Sequence, residues 1–196
     1  VLALAAFWLW HRIENTPDGA RAPLGALAAL GAACGFLFLA EYSAGALVLV
    51  ALGYAAVRFG SARWLALAVV AVGFAVVTGP WIARNLALTG HPVALAGQNV
   101  ALKAGDSTAE PAIVRATLSA ELPRIDLKKL GNKTLTSMQE NLKTRIWSGG
   151  AMWLTAFFAA GWLYAFRSRT ANRLRWVFSA ALAVLLLAQA ALNSGE

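Results

Sequence analysis

Charge is scarce in this 196-residue chain. Asp, Glu, Lys and Arg make up only 13% of it, against about 25% in an ordinary soluble domain. There is one cysteine, Cys34, so no disulfide can form within the chain. Cys34 lies mid-run in LGAACGFLFLA, where a thiol packs as a small apolar group. The only histidines, His11 and His91, are far apart and no CxxC occurs, so no metal site is expected. There is no GxxxxGK[ST] phosphate loop, and Gly97-Gln98-Asn99 does not replace one. Neither GxSxG nor HExxH occurs.

What fills the chain is apolar: 59% of residues are hydrophobic and the mean hydropathy is +0.61. That balance points to an all-α, polytopic transmembrane helix bundle whose partner is the lipid bilayer. About six spans are expected: Val1–Trp10, Leu24–Ala40, Ala46–Phe59, Trp64–Thr78, Gly149–Phe166 and Trp176–Leu192. The first run covers only ~15 Å as helix against a hydrocarbon core of ~30 Å. It reads as the tail of a truncated span, and the chain as a piece of a larger protein. Three units follow: residues 1–87 with four spans, a polar loop 88–148, and residues 149–196 with two more spans. Span two is rich in Ala and Gly. Its Gly25, Gly31 and Gly35 suit close backbone approach and a central place in the bundle.

The net charge of +8 and pI near 10.4 would suggest nucleic acid in a soluble protein. Here basic residues flank spans, and no nucleic-acid partner is expected. The short loops 11–23, 58–63 and 166–176 carry two, two and four Lys or Arg. All three fall on one side if every span crosses once, and the opposite turn, Glu41–Gly45, carries none. The positive-inside rule then places the basic loops in the cytoplasm, the protein in the inner membrane, and loop 88–148 outside. Within that loop, Asp126–Ile146 reads as an amphipathic helix. Its apolar stripe runs through Leu130, Met138 and Leu142, and Lys128, Lys129, Lys133 and Lys143 lie largely away from it.

The richest stretch is Thr78 to Gly105. Pro80 should kink or stop the helix, because it removes a backbone donor and crowds the carbonyl four residues back. Trp81 suits the bilayer boundary. Arg84 and Asn85 follow, then the turn Gly90-His91-Pro92. A guanidinium at membrane depth can clamp a lipid phosphate, or simply anchor the helix in the interface. Glu41 is either an acceptor contact or partner of Arg84, or else an exposed turn carboxylate. His91 can meet a phosphate, or be a solvated turn residue. Asn85 can bind a sugar hydroxyl or cap the segment. Lys103 and Arg115 can line an anionic-lipid pocket or form a solvated face.

Pro80-Trp81, Arg84-Asn85, Gly90 and Pro92 together resemble a motif of bacterial C-type (GT-C) membrane glycosyltransferases. These are related to protein O-mannosyltransferases and aminoarabinose transferases. The order of a Gly/Ala-rich span, a short break at Glu41-Tyr42, a span, a basic turn and a further span is similar over residues 20–105. The resemblance implies transfer of a sugar from a polyprenyl-phosphate donor to an acceptor on the outer face. Arg84, Glu41, His91 and Lys103 would then be candidates for the donor phosphate and substrate, with cationic donors meeting the leaving phosphate. It also implies a catalytic carboxylate, acting as base or metal ligand, on a loop ahead of Val1. The chain alone is therefore expected to be inactive and to hold no metal or other cofactor itself. The rival reading is a non-enzymatic membrane protein, either part of a transporter or an assembly scaffold. Transporters place broken helices and charges at the midplane in repeated halves, and no half-repeat is visible here.

Overall fold

A computed structural model of the chain describes residues 2–17, 22–93, 127–140, 161–163 and 168–192. Every regular element among them is helical. These are α1 (Leu2–Glu14), α2 (Leu24–Ala40), α3 (Leu47–Arg58), α4 (Arg63–Thr89), α5 (Leu127–Glu140) and α6 (Arg169–Leu192), with 3-10 turns at Ala44–Ala46 and Gly60–Ala62. Most of span five, Arg115, Lys103 and most of loop 88–148 lie outside the described residues.

Two helical stretches, Gly60–Thr89 and Arg169–Ala191, are long and apolar enough to cross a membrane. α2 has 17 residues and α3 has 12, so they reach only ~25 Å and ~18 Å at 1.5 Å per residue, short of a ~30 Å core. Among the described residues the architecture is thus an all-helical bundle with two helices of spanning length.

α2 and α4 run the same way, since Gly31 meets Val70, Gly35 meets Val77, and Phe38 meets Trp81. This seam is the tightest in the bundle. A Cβ added at Gly31 would lie 2.1 Å from the Val70 carbonyl oxygen, and one at Gly73 would lie 2.3 Å from that of Ala28. Small residues let the two backbones touch, as expected where helices associate by packing. Gly25 plays no part, because a Cβ there would meet open space. α1 is antiparallel to α6, with Phe7 stacked on Phe178 at 4.2 Å between ring centroids and Glu14 bonded to Arg173. Cys34 is buried.

The sequence-based limits of α2 coincide with the observed helix and those of α3 differ by one residue at each end, but those of α1, α4 and α6 change further. Pro80 does not stop α4: the helix runs nine residues further, to Thr89, and is capped by Gly90 at φ 71°, whose N–H donates to the Leu86 carbonyl at 3.0 Å. Proline costs one backbone bond here, but packing holds the helix on both sides of it. Gly31 and Gly35 meet the turns before it, and Trp81 rests on Phe38 and Tyr42 directly after it. The left-handed glycine is the effective stop. The basic stretch 169–175 is not a loop but the first two turns of α6. α1 continues past Trp10 to Glu14, which removes His11–Glu14 from the first loop. α5 forms within the expected 126–146 and packs against α6.

Candidate functional site

The bundle brings polar side chains together at its two ends. At one end α2 stops at Glu41 and α4 passes beside it. Trp81 stands edge-on to Phe38 at 5.6 Å and tilted against Tyr42, also at 5.6 Å. The Pro80-Trp81 motif and the Glu41-Tyr42 break, read as separate signals in the sequence, are therefore neighbours. Arg84 comes one turn later on α4 and is exposed, roughly 32 Å along the axis from Arg63. That is about the thickness of a hydrocarbon core. Glu41 is also exposed and accepts a 2.5 Å hydrogen bond from the Ser43 hydroxyl. No ion pair joins it to Arg84.

Asn85 is buried, and its side-chain amide donates to the Pro92 carbonyl at 3.4 Å. Thr89 Oγ1 donates to the Asn85 carbonyl at 2.8 Å and accepts from the His91 N–H at 3.2 Å. These bonds fold the chain back over the end of α4. His91 and Gly90 belong to the same turn, His91 half-buried. Lys103 lies outside the described residues. Among those residues no three His, Cys, Asp or Glu side chains gather as a metal site would require.

The other end holds a cluster that the sequence reading passed over. Glu14 is buried, with 1% of its side chain exposed. The Tyr54 hydroxyl donates to its Oε2 at 2.6 Å, and Arg173 Nη1 donates to its Oε1 at 3.0 Å. Arg58 Nε lies 3.6 Å from Oε2, and Arg58 Nη2 donates to the Thr16 carbonyl at 2.7 Å. One carboxylate thus ties the C-terminal ends of α1 and α3 to the start of α6. The signal was present in helical spacing. Ala6, Leu9, Trp10, Ile13 and Glu14 follow the i, i+3, i+4, i+7, i+8 pattern of a core-facing stripe. Treating residues 11–23 as a loop hid it.

Among the described residues, three arginines at this end stack on tryptophans. Arg12 lies over Trp8 at 5.5 Å, Arg63 over Trp64 at 5.3 Å and Arg175 over Trp176 at 5.7 Å. The three indoles are exposed. Between α3 and α6 a cleft of about 890 Å³ opens beside the Glu14 cluster. Its walls are Leu49, Val50, Gly53, Val177 and Val184, and its polar end is Tyr54, Arg58, Arg173 and Trp176. Comparison with family models, with curated proteins and with solved structures finds no match to this chain.

Proposed function

We propose that the chain is part of an integral inner-membrane glycosyltransferase. In this reading a sugar passes from a polyprenyl-phosphate donor to an acceptor on the outer face, and Arg84 contacts the donor phosphate. The whole bundle of about six spans, with its basic ends in the cytoplasm and residues 88–148 outside, belongs to the same proposal.

The membrane part is supported by the surface of the two long helices. Only 17% of each apolar window is buried inside the protein. An apolar helix in the core of a water-soluble protein would be covered, whereas a lipid-facing one is not. The Arg–Trp stacks suit a headgroup belt at one end.

The transfer part is carried by one observation: Trp81 packs on Phe38 and Tyr42, which sets Pro80–Asn85 beside Glu41 at the end opposite the Arg–Trp belt. A guanidinium just beyond the hydrocarbon edge meets a lipid-linked phosphate in a low-dielectric setting, where charge-assisted bonding is strong. The test is Arg84→Ala in the full-length protein, read by transfer from a lipid-linked sugar. The variant should lose at least about tenfold in kcat/KM, since a charge-assisted bond contributes ~1.5–3 kcal/mol. Transfer unchanged by Arg84→Ala would rule out the phosphate contact. Full-length protein that moves no sugar at all would favour the non-enzymatic reading.

A further inference from the structure

We propose that Tyr42 and Trp81 form a platform for the sugar ring of the lipid-linked donor, with Glu41 beside it as acceptor for the ring hydroxyls. This rests on the transfer reading, in which Arg84 contacts the donor phosphate, and extends it to the group that is transferred.

The platform is assembled from two segments. Tyr42 lies in the turn after α2, and Trp81 follows Pro80 on α4. Their ring centroids stand 5.6 Å apart, with the planes tilted by 45°. Phe38 backs both rings, at 5.4 Å from Tyr42 and 5.6 Å from Trp81, and Phe74 backs Phe38 at 5.9 Å. The Gly45 backbone lies against Phe38 in turn: a Cβ added there would come within 2.5 Å of the ring. The outer pair is therefore held by a second layer of rings, and a ligand finds it already ordered. It is not covered. Tyr42 is 38% exposed and Trp81 is half-buried.

Aromatic side chains at a bilayer boundary are commonly exposed in this way. What sets this pair apart is the chemistry around it. Glu41 precedes Tyr42 and is exposed, and its Oε1 accepts a 2.5 Å hydrogen bond from the Ser43 hydroxyl. Ser43 is itself buried, so a fixed donor orients the carboxylate. Arg84 follows Trp81 by three residues, a spacing that makes side chains neighbours on a helix, ~5–6 Å apart at Cβ. A flat apolar face, an anionic acceptor and a cation thus meet at the outer end of α4. The matching ligand is apolar on one face, carries donor hydroxyls at its rim and is bonded directly to an anion. A pyranose joined to a phosphate has all three features. Its axial C–H bonds meet the negative faces of the rings, its hydroxyls donate to the carboxylate, and its phosphate meets the guanidinium. The same lipid phosphate without a sugar engages Arg84 alone.

The test is equilibrium binding to the purified full-length protein in neutral detergent. The probes are citronellyl phosphate and its glucose, mannose, galactose and N-acetylglucosamine conjugates. At least one conjugate should bind more tightly than the bare phosphate. Tyr42→Leu, which keeps the apolar bulk, should weaken that conjugate about two- to tenfold, the range of one aromatic contact. It should leave the bare phosphate unchanged, which also reports that the fold is intact. Tyr42→Phe should bind as wild type does. Glu41→Gln, at an exposed position, should weaken the conjugate and spare the bare phosphate. No conjugate tighter than the bare phosphate, an unchanged conjugate in Tyr42→Leu or Glu41→Gln, or equal weakening of both kinds of probe would each overturn the platform. Arg84→Ala separates the two readings, because it should weaken every probe alike. Binding unchanged in Arg84→Ala but still sugar-selective through Tyr42 would remove the phosphate contact and leave the platform standing.

Discussion

Glu14→Gln is the most informative single change. The carboxylate bonds to Tyr54 at 2.6 Å and Arg173 at 3.0 Å, and lies 3.6 Å from Arg58. Glutamine preserves shape and can still accept from Tyr54, so the loss is mainly the negative charge. Arg173 is 41% exposed and its pairing is screened by water, so its share is at most about 1 kcal/mol. Arg58 is 9% exposed and cannot be rehydrated without opening the end of the bundle. Removing the partner of a buried charge costs about 3–5 kcal/mol. If only neutral interhelical hydrogen bonds mattered, the loss would average about 0.6 kcal/mol per bond. At about 2–4 °C per kcal/mol for a chain of this size, Glu14→Gln should lower Tm in neutral detergent by roughly 6–20 °C. A second variant, Glu14→Leu with Tyr54→Phe and Arg58→Leu, should recover most of that loss, since exchanging a whole buried charged group for apolar residues is close to neutral. A fall of less than 2 °C for Glu14→Gln, or no recovery in the triple variant, would refute the view that the loss of the Glu14 charge beside buried Arg58 sets the cost.

Gly31→Leu and Gly73→Leu should each cost about 1–3 kcal/mol or more, because the added Cβ meets a backbone carbonyl that cannot turn aside, whereas Gly25→Leu should be tolerated; unfolding midpoints compare the three. Pro80→Ala should stabilise α4, by up to ~3 kcal/mol from the restored donor and relieved clash, and a fall in Tm would contradict a simple helix-interior role. Arg84→Ala should shift stability by no more than about 0.5 kcal/mol, as expected for an exposed side chain without a structural tie, so that any loss of transfer reflects contact rather than unfolding.

Much of the fold was legible because one rule governs long apolar helices. α2 was found at its observed limits because Pro23 and the Glu41 turn bracket an unbroken apolar run. The Gly-rich seam was half legible: Gly31 and Gly35 pack against α4 as expected, but Gly73, which completes the seam, drew no attention inside an ordinary apolar run. Of the two outcomes expected at Pro80, a kink or a stop, the stop does not occur, because the contacts of Trp81 and of the Gly31–Gly35 face hold the helix on both sides of it. At the candidate site, the meeting of Glu41-Tyr42 with Pro80-Trp81 is a contact between segments forty residues apart, which no local pattern specifies. Glu14 was missed for a related reason. Its burial follows from helical spacing, but its partners Tyr54, Arg58 and Arg173 become visible only once α1, α3 and α6 are side by side.

The account depends on α4 carrying the chain from a cytoplasmic basic end to an outer face that bears Arg84. Single cysteines at Ser61 and Leu88, exposed positions at the two ends of this helix and about 40 Å apart along its axis, test that directly when Cys34 is replaced by alanine. An impermeant thiol reagent applied to intact cells should label Leu88→Cys at once and Ser61→Cys only after the membrane is permeabilised. Labelling of both positions from outside, or of neither without permeabilisation, would contradict it.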